Sequence, residues 1–428
     1  MFYFLHPFID SFSPLRIFQY ITFRMMMAAG TAFVLSLLIG PWLIGKLRMF
    51  QCVEKREDHR IGSLDRSTKV GTPTMGGLLI LFSTGVATFL WAAPGNFYVL
   101  GAVSTFLFMG ALGFLDDVLK LHPNGWGFLT HESARIFTNK IRLSTNNPQP
   151  TTSPKCGLSS RSKLLAQLCW TGAFLLLLRS NPDVWLRTQQ LMVPFCKEPV
   201  IESMGWLGTF LFIGVVLVGT SNAVNLTDGL DGLAVGCSST AVAAYLVMAY
   251  VAGHFVFADY LQIPFVKGGG ELSVFCGALF GGCLGFLWFN AHPAQIFMGD
   301  TGSLAVGGAL AAVAVLIKQE LVLILVGGVF VLEALSVLIQ VGGFKLTRQT
   351  TGTGRRVFHR APLHHHFEHV AKGNKGAKSP PREGCPTSRA VATRRRKGGV
   401  GSENRIVIRF WILSLLFGLL GLAALKIR

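Results

Sequence analysis

The chain reads as an all-α polytopic membrane protein with about ten transmembrane helices, and three observations predict it. Hydrophobic residues make up 51% of its 428 residues against 14% charged, with a mean hydropathy of +0.49, outside the range of ordinary soluble domains. The apolar residues gather into runs of roughly 17–25, long enough to cross a hydrocarbon layer of about 30 Å as helices. The polar residues cluster too, at the edges of those runs: Lys69 to Gly77, Asp116-Asp117, Asn222 to Gly232, Asn290 to Ser303, and Ala361 to Glu368. The alternating pattern of a membrane barrel is absent, and helices satisfy their own backbone groups in lipid.

The expected spans justify themselves in order. The run 21–44 lacks a small-residue cleavage site after a short apolar core, so it is a retained helix rather than a signal peptide. Runs 76–93 and 97–115 follow, the first entered through the Gly-Thr-Pro-Thr-Met-Gly-Gly segment and the second ending at Asp116-Asp117. Run 163–179 opens on Lys163 and is weakly apolar at its ends; run 205–221 runs into the Asn222 cluster. Runs 233–252 and 272–289 are cleanly apolar, the latter ending at Asn290. Run 303–318 starts just after Asp300, run 320–341 carries Gln340, and run 406–425 closes the chain.

The net charge of +18 arises from 39 Lys and Arg against 21 Asp and Glu. Most of the basic residues fall after odd-numbered spans, which makes those loops cytoplasmic and both termini periplasmic. All five polar clusters fall on that same face, so the active site is expected at the cytoplasmic face. The chain is expected to be a single membrane-embedded domain over 1–428, with flexible loops at about 121–162 and 371–404 rich in Pro, Ser, Thr, Lys, Arg and Gly. The Arg394 to Lys397 run has no fold or aromatic platform for nucleic acid beside it, so it is read as a solvated loop drawn to anionic membrane lipid. The eight cysteines stand mostly singly with no C-x-x-C pair and are read as small buried hydrophobes.

Each cluster has a plain reading and a chemical one. Asp116 and Asp117 point about 100° apart on a helix, so one can face a metal and the other a substrate; alone, they could be solvated interfacial acids. Asn225, Asp228 and Asp231 lie at i, i+3 and i+6, which on a helix would align three oxygen-bearing side chains on one face, a set suited to Mg²⁺. Gly229 and Gly232 would let a ligand or another backbone approach. Asp300 stands between Gly299 and Gly302 in a turn whose backbone N–H groups suit phosphate, or simply cap a helix. His364, His365 and His366 follow Pro362 in an expected loop, where imidazoles can meet phosphate oxygens. Lys69 and the Gly-Thr-Pro-Thr-Met-Gly-Gly run could cradle an anion, but the Walker spacing is absent. Lys163 is a further candidate cation, or an ordinary snorkelling lysine. Acids for a metal, bases for phosphate and glycines for close approach together make the parts of phosphoryl transfer.

At these residues the chain resembles the phospho-N-acetylmuramoyl-pentapeptide-transferase (MraY) family, within the polyprenyl-phosphate N-acetylhexosamine-1-phosphate transferases. The likeness covers most of 20–370 and resumes at Arg405-Ile-Val-Ile-Arg-Phe-Trp411. The resemblance implies a Mg²⁺-dependent enzyme of the bacterial cytoplasmic (inner) membrane. It would move phospho-MurNAc-pentapeptide from UDP-MurNAc-pentapeptide to undecaprenyl phosphate, giving lipid I and UMP, the first membrane step of peptidoglycan synthesis. It further implies that Asp300 ligates Mg²⁺ with Asp116 and Asp117 close by, Asp116 serving as base or nucleophile and His364 joining the catalytic set. Asn225, Asp228, Asp231, Asn290, Phe297 and Gly299 would line the nucleotide pocket. Lys69, Thr74, Lys163, His364 and His365 would contact phosphates or sugar, with Gln340 and Ala361 beside them. Partners compatible with the family are a second copy of the chain and other cell-wall enzymes; nucleic acid is not among them.

The chain departs from the family pattern in places. Arg66 stands where a His is usual, three residues before Lys69, and the basic 371–404 segment replaces the usual Gly-Trp-x-Glu. A transferase of UDP-GlcNAc is the nearest alternative, and the histidine segment argues against it. A transporter would place ionisable residues at mid-membrane on several helices, whereas here nearly all acids cluster at span ends.

Overall fold

A computed structural model describes residues 13–50, 71–121, 157–373 and 388–426. Lys69 and Arg66, most of the 121–162 loop and residues 374–387 of the second expected loop lie outside the described residues. Among the described residues the architecture is helical throughout: α1 (Ile21–Met49), α2 (Gly77–Trp91), α3 (Phe97–Leu121), α4 (Ser160–Arg179), α5 (Pro182–Thr188), α6 (Gly205–Thr227) and α7 (Leu233–Ala252). Then come α8 (Phe255–Tyr260), α9 (Leu272–Asn290), α10 (Gly299–Leu316), α11 (Val322–Val326), α12 (Gly328–Thr351), α13 (Leu363–Gly373) and α14 (Ser388–Ala424).

Eight of these helices are long and apolar enough to cross a membrane. Of the other two expected spans, α2 is a shorter apolar helix, and α4 carries Arg161, Lys163 and Arg179 near its ends. The expected ninth span, 320–341, is corrected to two pieces, because the chain breaks at Gly327 between α11 and α12. α14 starts well before the expected tenth span and takes in the end of the 371–404 segment, which was expected to be a loop. Of the described cysteines, Cys237, Cys276 and Cys283 are buried, while Cys169 and Cys196 are exposed.

α10 is the axis of the bundle, buried along almost its whole length, whereas α12 lies at the rim with most of its span exposed. It packs on α3 and α6, while α9 packs on α1 and α7 and α14 lies along α7. The outer surface is apolar as well, with Leu38, Trp42, Leu207, Val215 and Leu338 all exposed, as lipid-facing helices require. In lipid, helices associate through close packing rather than water exclusion, so small residues sit where backbones touch. A Cβ at Gly77 of α2 would lie 2.1 Å from the Gly302 nitrogen of α10, and one at Gly113 of α3 would lie 2.2 Å from the Asp300 carbonyl oxygen. These contacts bring α2, α3 and the start of α10 together at one end of the bundle.

Candidate active site

The start of α10 would leave its first N–H groups unpartnered, since Met298 offers no capping side chain. Asp117 of α3 supplies the cap instead. Its Oδ2 accepts from the Thr301 nitrogen at 2.9 Å and the Thr301 hydroxyl at 2.7 Å, and its Oδ1 from the Asp300 nitrogen at 3.2 Å. A carboxylate there also meets the positive end of the helix dipole. Gly299, at φ +70°, makes room, because a Cβ would stand 2.7 Å from Asp117 Oδ2.

Asp116, fully buried on the neighbouring position of α3, accepts from the Leu158 nitrogen at 2.7 Å. Its Oδ2 pairs with Lys120 Nζ at 2.7 Å and Lys163 Nζ at 2.6 Å. Both ammonium groups also reach Asp300 Oδ2, at 3.1 and 2.5 Å. The two lysines thus bridge Asp116 and Asp300, with Asp117 Oδ1 3.7 Å from Lys120. Candidate ligand oxygens of Asp116, Asp117 and Asp300 all lie within 4.8 Å of one another. Among the described residues three carboxylates face two ammonium groups, and hard oxygen ligands with incomplete charge compensation fit a divalent cation such as Mg²⁺.

Asn225, Asp228 and Asp231 do not share a helix face, contrary to the alignment expected from their spacing. α6 stops at Thr227 with Asp228 as its C-cap, and Gly232 is left-handed at φ +77°. The turn sends the three side chains apart. Asn225 donates to the Ser303 hydroxyl of α10 at 3.0 Å. Asp228 lies toward Asp300 and Asp117: burial of its carboxylate, then those two charges, push its pKa up from 3.8 to about 7, opposed by a hydrogen bond from the Gly299 backbone. Asp231 accepts from the Ala294 nitrogen at 3.3 Å and pairs with His292 Nδ1 at 3.0 Å; ligand atoms of Asp231, His292 and Glu403 also lie within 4.8 Å of each other.

The remaining expected residues divide into those at the acid cluster and those holding loops. Phe297 donates its backbone N–H to Pro73 and accepts from Gly76 at 2.8 Å, locking the Gly-Thr-Pro-Thr-Met-Gly-Gly segment against the Met-Gly-Asp turn. Thr74 is half-buried in that segment, one residue from Met75, whose nitrogen lies 3.2 Å from where a Gly299 Cβ would be. Asn290 is buried and spans two backbone groups, accepting from the Gly232 nitrogen at 3.0 Å and donating to the Ile296 carbonyl at 2.8 Å. Gln340 accepts from the Val357 and Phe358 nitrogens at 3.1 and 2.8 Å, tying α12 to the segment that leads to Ala361. The expected histidine loop is corrected to the first turn of α13. His364 there is fully buried against Gly229, and His365 Nδ1 lies 3.2 Å from Glu368 Oε2.

Sequence reasoning passed over Lys120, Thr301, Ser303 and Glu333. Lys120 falls one helical turn from Asp116, a spacing that pairs opposite charges. Glu333 was legible as a lone acid in an apolar run, which marks a functional position in a span.

A family model described as glycosyl transferase family 4 matches residues 99–318, the stretch from α3 to just past α10. A phospho-N-acetylmuramoyl-pentapeptide-transferase signature matches residues 69–81. Three curated proteins bearing that transferase name align over the whole of both chains: those of Desulfotalea psychrophila at 43% identity, Maridesulfovibrio salexigens at 42% and Methylacidiphilum infernorum at 41%.

Proposed function

The chain belongs to the phospho-N-acetylmuramoyl-pentapeptide-transferase family and is a multi-pass membrane transferase, and from that premise we propose its reaction. It transfers phospho-MurNAc-pentapeptide from the UDP-linked donor to undecaprenyl phosphate, yielding lipid I and UMP at the inner face of the bacterial cytoplasmic membrane. The observation that carries this reading is the carboxylate cluster of Asp116, Asp117 and Asp300 at one end of the bundle, compensated in part by Lys120 and Lys163. A soluble diphosphate donor and a lipid phosphate acceptor can meet only at such a boundary, and their charges repel.

Asp116 and Asp300, with Asp117, would hold Mg²⁺, which when bound supplies charge neutralisation for the two phosphates. Lys163 and Lys120 hold Asp116 and Asp300 in register and offer ammonium groups to phosphate oxygens. Asp116, the most enclosed of the acids, takes the acceptor's proton or attacks the donor phosphate. Asp117 fixes the start of α10, so Asp300 is presented on a rigid element. Asn225, Asp228, Asp231, Phe297 and Gly299 line the nucleotide side, with Asn290 bracing two of its turns. Lys69, Thr74, His364 and His365 serve the phosphates and sugar, and Gln340 holds the segment through Ala361 beside them.

The test is purified protein with undecaprenyl phosphate and either UDP-MurNAc-pentapeptide or UDP-GlcNAc, with Mg²⁺ or with chelator. The expected result is UMP and lipid I from the first donor, lost on chelation. UMP from UDP-GlcNAc alone would transfer the chain to the related sugar-phosphate chemistry, and no UMP from either would overturn the reading.

A further inference from the structure

An acid inside a membrane-spanning helix is costly unless something receives its charge. Glu333 of α12 is such an acid, with no exposed surface, and what receives it is the first histidine of α13. Glu333 Oε1 accepts from the His364 backbone nitrogen at 3.2 Å, and Oε2 lies 3.2 Å from His364 Nδ1. That second contact is in ion-pair reach but out of line for a hydrogen bond, and a small rotation of the ring brings it into line.

The other ring nitrogen tells more. His364 Nε2 is buried with no hydrogen-bond partner, and it lies where a Gly229 Cβ would be, 2.1 Å from that position. Gly229 directly follows Asp228, whose carboxylate is in the field of Asp300 and Asp117. A buried polar atom without a partner costs free energy and is tolerated where a ligand or reaction later supplies the partner.

We propose that Glu333 is the positioning residue for His364. It holds the ring proton on Nδ1 and so leaves Nε2 as the atom that exchanges a hydrogen bond with a phosphoryl oxygen arriving at the Asp228–Gly229 turn. Carboxylates that orient a working imidazole in this way set both its tautomer and its angle. The lack of a side chain at Gly229 gives the ring its place. The proposal rests on the transfer reading above for the identity of the phosphate, but not for the Glu333–His364 pairing.

Glu333→Gln keeps the side-chain volume and an acceptor oxygen while removing the charge. With UDP-MurNAc-pentapeptide and undecaprenyl phosphate, kcat is expected to fall about 10–100-fold, as for other groups that orient a working ligand, with donor KM within about twofold. Glu333→Asp should recover part of that loss, and Gly229→Ala, which displaces the ring without touching either polar group, should reproduce it. Nitrogen-15 NMR of histidine-labelled protein, with the His364 signal assigned by its loss in His364→Asn, should show an Nδ1-protonated ring in the native protein and a changed tautomer in Glu333→Gln. Native kcat in Glu333→Gln, or a native His364 protonated on Nε2 alone, overturns the proposal. The spectrum needs no substrate, so it decides the pairing even if the donor is another sugar nucleotide.

Discussion

The two ends of α10 carry buried charge in opposite styles. Just past its C-terminus, Lys318 pairs with Glu320 at 2.6 Å and donates to the Gln190 carbonyl at 2.8 Å, one charge matched by one. The Arg24–Glu271 pair between α1 and the entry to α9 is built the same way, with Glu271 also accepting from the Ala93 nitrogen at 3.0 Å. About 27 Å away at 1.5 Å per residue, the N-terminal end gathers Asp116, Asp117 and Asp300 around Lys120 and Lys163, the two cations paired with them among the described residues, and leaves the Lys120 side chain 43% exposed. A balanced, closed pair holds helices together; an unbalanced, open cluster is held in place by the fold and, on the proposed reading, is where a cation and the substrate phosphates meet. Burial of charge alone does not mark a site, but the sign left over does.

The comparison can be broken by mutating each end. Asp300→Asn should lower transfer on the order of 10³-fold, the scale of losing a principal electrostatic group. Its unfolding midpoint should fall less than that of Glu320→Gln, because Lys120 and Lys163 both keep Asp116 as a partner. Glu320→Gln should do the reverse, leaving kcat within about twofold while lowering stability by about 3 kcal/mol, since it strands a buried lysine; denaturant unfolding in detergent measures it. Equal stability losses at both ends would erase the distinction.

A subtler outcome concerns Asp228, whose raised pKa of about 7 means that the folded state binds its proton more tightly than the unfolded chain does. Its contribution to stability is therefore largest below the ordinary carboxylate value of 3.8 and is lost as pH rises toward about 7. Chelator-treated protein should show that decline in its unfolding midpoint, and Asp228→Asn should flatten it. A native profile already flat between pH 4 and 7 would remove Asp228 from the field of Asp300 and Asp117.

How far the sequence carried this account depended on the kind of residue. Asp116, Asp117 and Asp300 were legible because acids beside long apolar runs have few reasons to be there, and their meeting at one bundle end follows from helix direction alone. The break at Gly327 was not legible, since α11 and α12 form one continuous apolar run of span length. The alignment of Asn225, Asp228 and Asp231 failed because it assumed a helix through Gly229 and Gly232, the residues that turn the chain. Asn290 and Gln340 engage backbone groups distant in sequence or across a loop, partners that spacing does not reveal. Glu333 needed the structure most, because its meaning lies in His364, 31 residues on.

The most direct test of the charge excess is Mn²⁺ titration of the purified protein, followed by electron paramagnetic resonance, with Mn²⁺ standing in for Mg²⁺. Native protein should bind one ion tightly per chain, and Asp300→Asn should lose that site while Glu320→Gln keeps it. Undiminished binding by Asp300→Asn would contradict the assignment of the acid cluster.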